Sequence, residues 1–94
     1  MDIFKVALSK QARKDLEKIP KRLFQNLISW IELVGADGLS EARKIPGYHD
    51  EPLKGKRAGQ RSIRLNKAYR AIYEINDRGE IHFVEIMEVN HHEY

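Results

Sequence analysis

Hydrophobic and polar residues follow two different periods along the first third of the chain. Over residues 4–8, large apolar side chains alternate with lysine and alanine, which is the period-two pattern of a β-strand. Ser9 follows, a residue type that caps helix N-termini. Apolar residues then recur at Ala12, Leu16 and Ile19, the spacing of one helix face. The pattern therefore predicts an opening strand and a first helix.

A second helix is predicted over residues 20–34. Pro20 restrains the preceding Ile19 away from helical geometry but suits the first turn of a new helix. The apolar stripe of this helix consists of Leu23, Leu27, Ile31 and Val34. Gly35 is predicted to end it, because glycine readily adopts the backbone conformation found after a helix C-terminus. The two helices would form a hairpin.

Glycine and proline punctuate the next stretch, residues 36–59, which predicts a loop with one short helical turn around residues 39–44. Loops of this length in compact domains are usually functional or mobile. Three strand patterns follow, over residues 61–65, 69–75 and 81–89, with turns at residues 66–67 and 76–79.

The predicted order of elements is β-α-α-β-β-β. This order belongs to the α+β class, with a helical hairpin packed on one face of a mostly antiparallel four-stranded sheet. A chain of 94 residues has room for a single core, so we expect one domain over residues 1–94.

Composition excludes several classes of protein. Hydrophobic residues make up 41% and charged residues 33%, as in ordinary globular proteins. Cysteine is absent, which excludes disulfides and thiolate chemistry. No run approaches the roughly 18 apolar residues that span a bilayer, and residues 1–5 lack the start of a secretory signal. We therefore expect a cytoplasmic protein with no membrane partner.

Positive charge is concentrated in one segment, although the net charge of the chain is only +3. Residues 54–70 contain seven basic side chains and no acidic one. Such a window creates a local potential that attracts phosphates. The alternative interpretation is a solvated loop rich in lysine and arginine. The seven basic residues are Lys54, Lys56, Arg57, Arg61, Arg64, Lys67 and Arg70.

The block from residue 51 to residue 73 resembles a known family. It contains Glu-Pro-Leu-Lys-Gly at 51–55, Gly-Gln-Arg-Ser-Ile-Arg-Leu-Asn at 59–66 and Tyr-Arg-Ala-Ile-Tyr at 69–73. Together with the element order, this block is similar to the RelE/ParE superfamily of toxins from toxin–antitoxin systems. The likeness is greatest to its RelE, YoeB and HigB branches.

This resemblance implies a ribonuclease-like fold and cleavage of mRNA, usually in the ribosomal A site. It also implies inhibition by a small cognate antitoxin encoded nearby, with a toxin that is monomeric and assembles only through that antitoxin. The ParE branch shares the fold but inhibits DNA gyrase. Fold alone therefore does not decide the function.

RNA cleavage without a metal needs a base for the 2′-hydroxyl, cations for the developing phosphorane charge and an acid for the 5′-oxygen. Arg70 is the first candidate for the cation, because a turn centred near Lys67 would place it beside Arg64 on one face. The alternative is a surface salt bridge from Arg70 to Glu74 or Glu85. The histidines do not have a recognised zinc-site spacing, so we expect no metal and no other cofactor.

Candidates for proton transfer come from two segments. His91 and His92 follow the last predicted strand, and family members commonly end in His/Tyr-rich residues that enter the active site. This tail has Glu93 between His92 and Tyr94, which leaves open which of these groups acts; a frayed terminus is the alternative.

Glu51 matches the position of the general-base carboxylate in YoeB-like toxins, although HigB-like relatives do without it. The alternative is a loop carboxylate that neutralises Lys54, and His49 and Asp50 are adjacent candidates. Lys54 would assist catalysis or bind RNA. Contacts with RNA are predicted for Lys56, Arg57, Arg61, Arg64, Lys67 and Tyr94.

These features predict a toxin that inhibits translation as a metal-independent, ribosome-dependent endoribonuclease, with mRNA, the ribosome and an antitoxin as partners. Two alternatives remain open. One is a ParE-like gyrase inhibitor without nuclease activity, and the other is an inactive homologue that acts only as a binding partner.

Overall fold

The computed structural model describes residues 2–78 and 81–91. Two short 3-10 turns, Pro46–Tyr48 and Gly55–Arg57, flank the second strand. The helices and strands are β1 (Val6–Leu8), α1 (Lys10–Leu16), α2 (Lys21–Asp37), α3 (Leu39–Arg43), β2 (Glu51–Pro52), β3 (Arg61–Arg64), β4 (Tyr69–Arg78) and β5 (Ile81–His91).

The strands form one sheet in the order β1-β5-β4-β3-β2. β1 runs parallel to β5, and the other neighbours are antiparallel. The predicted α+β class is confirmed, but the sheet has five strands where four were predicted. The additional strand is β2, which pairs Glu51 with Ser62 and Pro52 with Arg61. Two residues are too few for a period-two pattern, and Pro52 fits an edge strand because its missing N–H is not needed there.

α1 begins directly after the predicted cap Ser9 but ends at Leu16, before the predicted Ile19. The Ser9 hydroxyl accepts the backbone N–H of Ala12 at 3.0 Å and donates to the Met87 carbonyl at 2.6 Å, so the cap of α1 also fastens this helix to β5.

α2 begins at Lys21, one residue after the predicted Pro20, and ends later than predicted. Gly35 was predicted to end α2, and this was wrong. A glycine inside a helix costs only about 1 kcal/mol, whereas Gly38 has the positive φ of 91° that ends the helix.

The two long strands extend beyond their predicted bounds. β4 continues to Arg78, so residues 76–78 belong to a strand and the prediction of a turn at 76–79 was wrong there. β5 continues to His91, which therefore lies within the last strand and does not follow it. The extension of β4 is concealed in the sequence by Asn76 and Asp77, because asparagine and aspartate are depleted in strands and favoured in turns.

The hydrophobic core lies between the helices and one face of the sheet. Its largest side chains include Trp30 and Leu27 of α2 together with Tyr73 and Ile86 of the sheet, all fully buried. The rings of Trp30 and Tyr73 are 5.3 Å apart and tilted by 43°. Within the described residues, no helix is long and apolar enough to cross a membrane.

The loop between α3 and β3 is fixed to the sheet by a buried acid. The Asp50 side chain has 0% exposure, and Arg61 Nε lies 2.6 Å from its Oδ1. The hydroxyl of Tyr73 donates to Asp50 Oδ2 at 2.5 Å, and Arg43 Nε donates to that hydroxyl at 3.4 Å. A buried carboxylate needs such partners, because an uncompensated charge in the protein interior is strongly unfavourable.

We expect Asp50→Ala to destabilise the fold by about 3 kcal/mol, since it leaves the partly buried Arg61 without its counter-ion. Urea denaturation would measure the free energy of unfolding. The matched control is Glu41→Ala, because Glu41 pairs with Lys44 at 3.2 Å on the surface, where the side chains are 58% and 71% exposed. That change should cost less than about 1 kcal/mol. Equal losses in both variants would show that Asp50 does not anchor the loop.

Burial, aided by the hydrogen bond to Asp50, raises the pKa of Tyr73 from 10.0 to about 12. The unfolded chain therefore ionises this tyrosine before the folded chain does. The stabilising contribution is complete below pH 10 and is lost as the pH rises towards 12. Between these limits we expect the free energy of unfolding to fall about 2 kcal/mol more in the wild type than in Tyr73→Phe. Parallel curves from denaturation at each pH would contradict this assignment.

Candidate active site

A pocket of about 200 Å³ lies at the turn end of the β3–β4 hairpin, between the hairpin and the segment that precedes β3. Its basic side chains come from the hairpin, and two other titratable groups come from the loop before β3. The charged and titratable residues that line it are His49, Glu51, Arg64, Lys67, Tyr69 and Arg70.

The hairpin brings the two arginines together. Arg64 and Arg70 are directly opposite each other in the antiparallel pairing of β3 with β4. Tyr69 packs against the core, so the alternation of side chains directs Arg70 to the other face. The sequence-based expectation that a turn near Lys67 would place both guanidinium groups on one face is thus met by the register.

The turn itself is held by two asparagines. Asn66 Oδ1 accepts the backbone N–H groups of Ala68 at 2.7 Å and Tyr69 at 2.8 Å, which closes the turn. Asn26 of α2 donates from Nδ2 to the carbonyl of Leu65 at 2.9 Å. The bond from Asn26 fixes the turn end of the β3–β4 hairpin, which lines the pocket, to helix α2.

The two arginines have no acidic partner among the residues that the structure describes. Glu74 and Glu85 were the alternative partners of Arg70, but both instead accept the amide of Asn76, at 3.4 and 2.7 Å. Like charges directly opposite in a sheet repel each other. A bound anion would relieve this repulsion, and two guanidinium groups suit a phosphate because each can donate two parallel hydrogen bonds.

His49 and Glu51 reach the pocket from either side of Asp50. Glu51 lies in β2 opposite Ser62, while His49 follows the 3-10 turn Pro46–Tyr48 with a left-handed backbone, φ 45°. This conformation is uncommon for residues other than glycine, although histidine tolerates it better than most. Sequence reasoning named His49 only as a neighbour of Glu51; the structure places both side chains in the lining of one pocket.

His91 does not itself line the pocket, but it contacts Tyr69, which does. It is opposite Tyr69 in the β4–β5 register, and the two rings meet edge to face at 5.1 Å. His91 is exposed and lies on the face that carries Tyr69, opposite Arg70, so it contacts a residue of the pocket lining from outside the pocket. The other predicted residues of this tail, His92 and Tyr94, are outside the described residues.

The remaining cations of residues 54–70 divide into two groups. Lys54 and Lys56 are exposed and do not line the pocket. Arg57 pairs with Glu88 at 2.7 Å, and Arg61 pairs with the buried Asp50. The pairing of both arginines with carboxylates was not predicted, because each carboxylate lies outside the basic segment.

Arg70 is also held from the neighbouring strand. Its Nε donates to Asn90 Oδ1 at 3.3 Å, and the two residues are partners in the β4–β5 register. No cluster of three or more histidine and acidic side chains is placed to hold a metal ion within residues 2–78 and 81–91.

Solved structures show where this fold occurs. The YafQ toxin of Escherichia coli BL21(DE3) is similar with a TM-score of 0.71 and 20% identity, over 93% of this chain and 91% of that one. A YoeB/ParE toxin of Agrobacterium tumefaciens gives a TM-score of 0.68 and 22% identity, covering 95% and 99%. The toxin–antitoxin complex RelBE2 of Mycobacterium tuberculosis is similar with a TM-score of 0.67 and 28% identity. The match covers 96% of this chain and 99% of that one.

The sequence comparison agrees with the structural one. No curated protein matches the chain. A family model described as the ParE toxin of the type II toxin–antitoxin system parDE matches residues 6–93. This match spans nearly the whole chain and includes every described residue of the pocket. The chain therefore belongs to the ParE toxin family of type II toxin–antitoxin systems, within the RelE/ParE superfamily.

Proposed function

We propose that this toxin is an endoribonuclease that cleaves mRNA in the ribosomal A site and so inhibits translation. The observation that carries the proposal is the pair Arg64 and Arg70, which face each other beside Glu51 and His49 without a carboxylate partner in the described chain. Cations with a potential base and a potential acid at one pocket are what RNA cleavage needs.

The reaction would proceed by attack of a ribose 2′-oxygen on the adjacent phosphorus. Glu51 accepts the 2′-hydroxyl proton, and His49 donates a proton to the departing 5′-oxygen. The bond from phosphorus to the 5′-oxygen breaks, leaving a 2′,3′-cyclic phosphate and a 5′-hydroxyl. Histidine suits the acid role because its ordinary pKa near 6.5 allows both forms at neutral pH.

Arg64 and Arg70 would stabilise the additional negative charge on the non-bridging oxygens of the phosphorane. Guanidinium groups are suited to this role because they stay charged at any physiological pH and bind phosphate oxygens in a fixed geometry. Lys54, Lys56 and Lys67 would contact the RNA backbone and position it without reading its sequence. Catalytic roles for His91 and His92 remain proposals as well, and the contact of His91 with Tyr69, which lines the pocket, supports the first of them.

The proposed protein partner is a cognate antitoxin. Similar toxins have been solved with antitoxins, among them the DinJ–YafQ complex of E. coli and the YoeB–YefM complex of Staphylococcus aureus. An acidic segment of such a partner would complement the basic pocket, because complementary charge accelerates association and fixes register. The toxin would be monomeric apart from this complex.

A second candidate is inhibition of DNA gyrase, the activity of the ParE branch. The description of the matching family favours it. A gyrase inhibitor has no use for a base and an acid beside paired arginines, so the two candidates differ in their dependence on pocket residues.

The first test is cleavage by Arg70→Ala. The rate of mRNA cleavage on purified ribosomes should fall at least about 100-fold, because removing one preformed donor to a transition-state oxyanion has effects of that size. The accumulation of new 5′ ends over time would measure this rate. Arg13→Ala, a change of the same charge on the exposed surface of α1, is the control and should cleave at the wild-type rate.

Two outcomes would contradict the nuclease proposal. Intact transcripts during growth arrest, together with loss of gyrase supercoiling, would establish the ParE activity. Absence of any arrest would identify an inactive homologue.

The second test is Glu51→Gln, which keeps the shape of the side chain and removes its basicity. We expect the rate of cleavage at saturating RNA to fall about 100-fold to 10,000-fold, with RNA affinity nearly unchanged. Single-turnover kinetics would separate the two quantities. Glu32→Gln on the exposed face of α2 is the matched control. A wild-type rate for Glu51→Gln would transfer the role of base to another residue.

A further inference from the structure

A continuous chain of hydrogen bonds leads away from the candidate active site along the open face of the sheet. Arg70 Nε donates to Asn90 Oδ1 at 3.3 Å, and Asn90 Nδ2 donates to Glu88 Oε1 at 2.9 Å. The same carboxylate oxygen receives Arg57 Nη2 at 2.7 Å. Four side chains from two strands and one loop therefore connect the pocket to the basic turn Gly55–Arg57.

The direction of these bonds fixes the amide of Asn90. An asparagine side chain presents two donors at one end and an acceptor at the other. The Glu88 carboxylate can only accept, so it draws Nδ2 towards itself, and Oδ1 is left facing Arg70. Without Glu88 the amide could turn and present its NH₂ group to the guanidinium, which has no acceptor.

The hydrogen bond to Asn90 uses only Nε of Arg70, so the two terminal nitrogens of the guanidinium remain available to bind a phosphate. The two terminal nitrogens of Arg70 form no hydrogen bond with any residue in the described part of the chain. An unrestrained arginine side chain samples many rotamers, and repulsion from Arg64 directly opposite would move it away from the pocket. The bond to Asn90 opposes both effects.

We propose that Asn90 is a positioning residue that holds the Arg70 guanidinium over the pocket, with its terminal nitrogens directed at the scissile phosphate. Glu88 orients Asn90, and Arg57 holds Glu88. This inference rests on the proposed ribonuclease function, and it assigns to Arg57 a structural role within the active site where sequence reasoning expected an RNA contact.

The chain provides a matched control for Asn90 in the same pair of strands, β4 and β5. Asn76 lies on β4, on the face that carries Arg70, and its Nδ2 donates to Glu85 at 2.7 Å and to Glu74 at 3.4 Å. It thus makes the same kind of amide–carboxylate contacts but touches no arginine. Any general effect of losing an asparagine from this sheet face should appear equally in Asn76→Ala.

The first measurement concerns the guanidinium alone and needs no RNA. In ¹⁵N NMR spectra, the Arg70 Nε–H of the wild type should exchange slowly with water and be rigid. We expect Asn90→Ala and Glu88→Ala to make this group exchange quickly, as in exposed arginines, and Asn76→Ala to leave it unchanged. An Arg70 Nε–H that does not respond to Asn90→Ala would overturn the proposal.

The second measurement is a double-mutant cycle in single-turnover RNA cleavage. Asn90→Ala should lower the rate at saturating RNA about 10-fold to 100-fold, since misplacement of a catalytic group by about 1 Å has effects of this order. In the Arg70→Ala background the same change should have no effect, because Asn90 acts through Arg70. Additive losses of cleavage rate would indicate a general structural role for Asn90 and would overturn the proposal.

The two measurements separate failure of the inference from failure of the proposed function. A wild-type protein that cleaves no RNA would refute the nuclease function and with it the catalytic purpose of Asn90. The NMR result would still decide whether Asn90 holds the guanidinium. If the wild-type protein cleaves RNA but its Arg70 Nε–H does not respond to Asn90→Ala, only the positioning role is refuted.

Discussion

The buried carboxylate of Asp50 is the constraint on which the rest of the candidate site depends. A charge removed from water is tolerated only where opposite charge and hydrogen-bond donors surround it. Arg61 Nε at 2.6 Å and the Tyr73 hydroxyl at 2.5 Å meet that need. Because these partners belong to neighbouring strands, the loop before β3 is stable where it lies against that part of the sheet. The ion pair and the packing of Tyr48 against the core together set the position of this loop.

The two halves of the pocket have different origins for this reason. Arg64 and Arg70 are placed by the register of a hairpin, which secondary structure alone determines. His49 is placed by the loop before the anchored Asp50, and Glu51 by the short strand β2 directly after it. The left-handed backbone of His49 is the local strain of this arrangement, of a kind that costs about 1 to 3 kcal/mol and persists only where surrounding contacts fix it. The anchor thus helps to set the distance from His49 and Glu51 to the two arginines.

The sequence could predict the parts of the site that depend on local interactions. The pairing of Arg64 with Arg70 follows from a short turn between two strand patterns, and the α+β class follows from the element order. The partners of Arg57 and Asn90 could not be predicted, because such contacts join residues up to 31 positions apart. The face of His91 was also hidden, because β5 has one extra residue, Met87, between its pairs with Ile72 and Tyr73, and this irregularity reverses which residues of β5 face the core.

The excess positive charge of residues 54–70 has two separate uses. Arg57 and Arg61 bind carboxylates that lie outside the segment, and these pairs hold the loop and the sheet together. Arg64 and Arg70 remain opposite each other with no acidic partner in the chain as described. Like charges in that arrangement destabilise the folded protein, so the hairpin keeps a repulsion that an anion would remove. Net charge does not identify this surface; the division of the cations between internal carboxylates and an open pocket does.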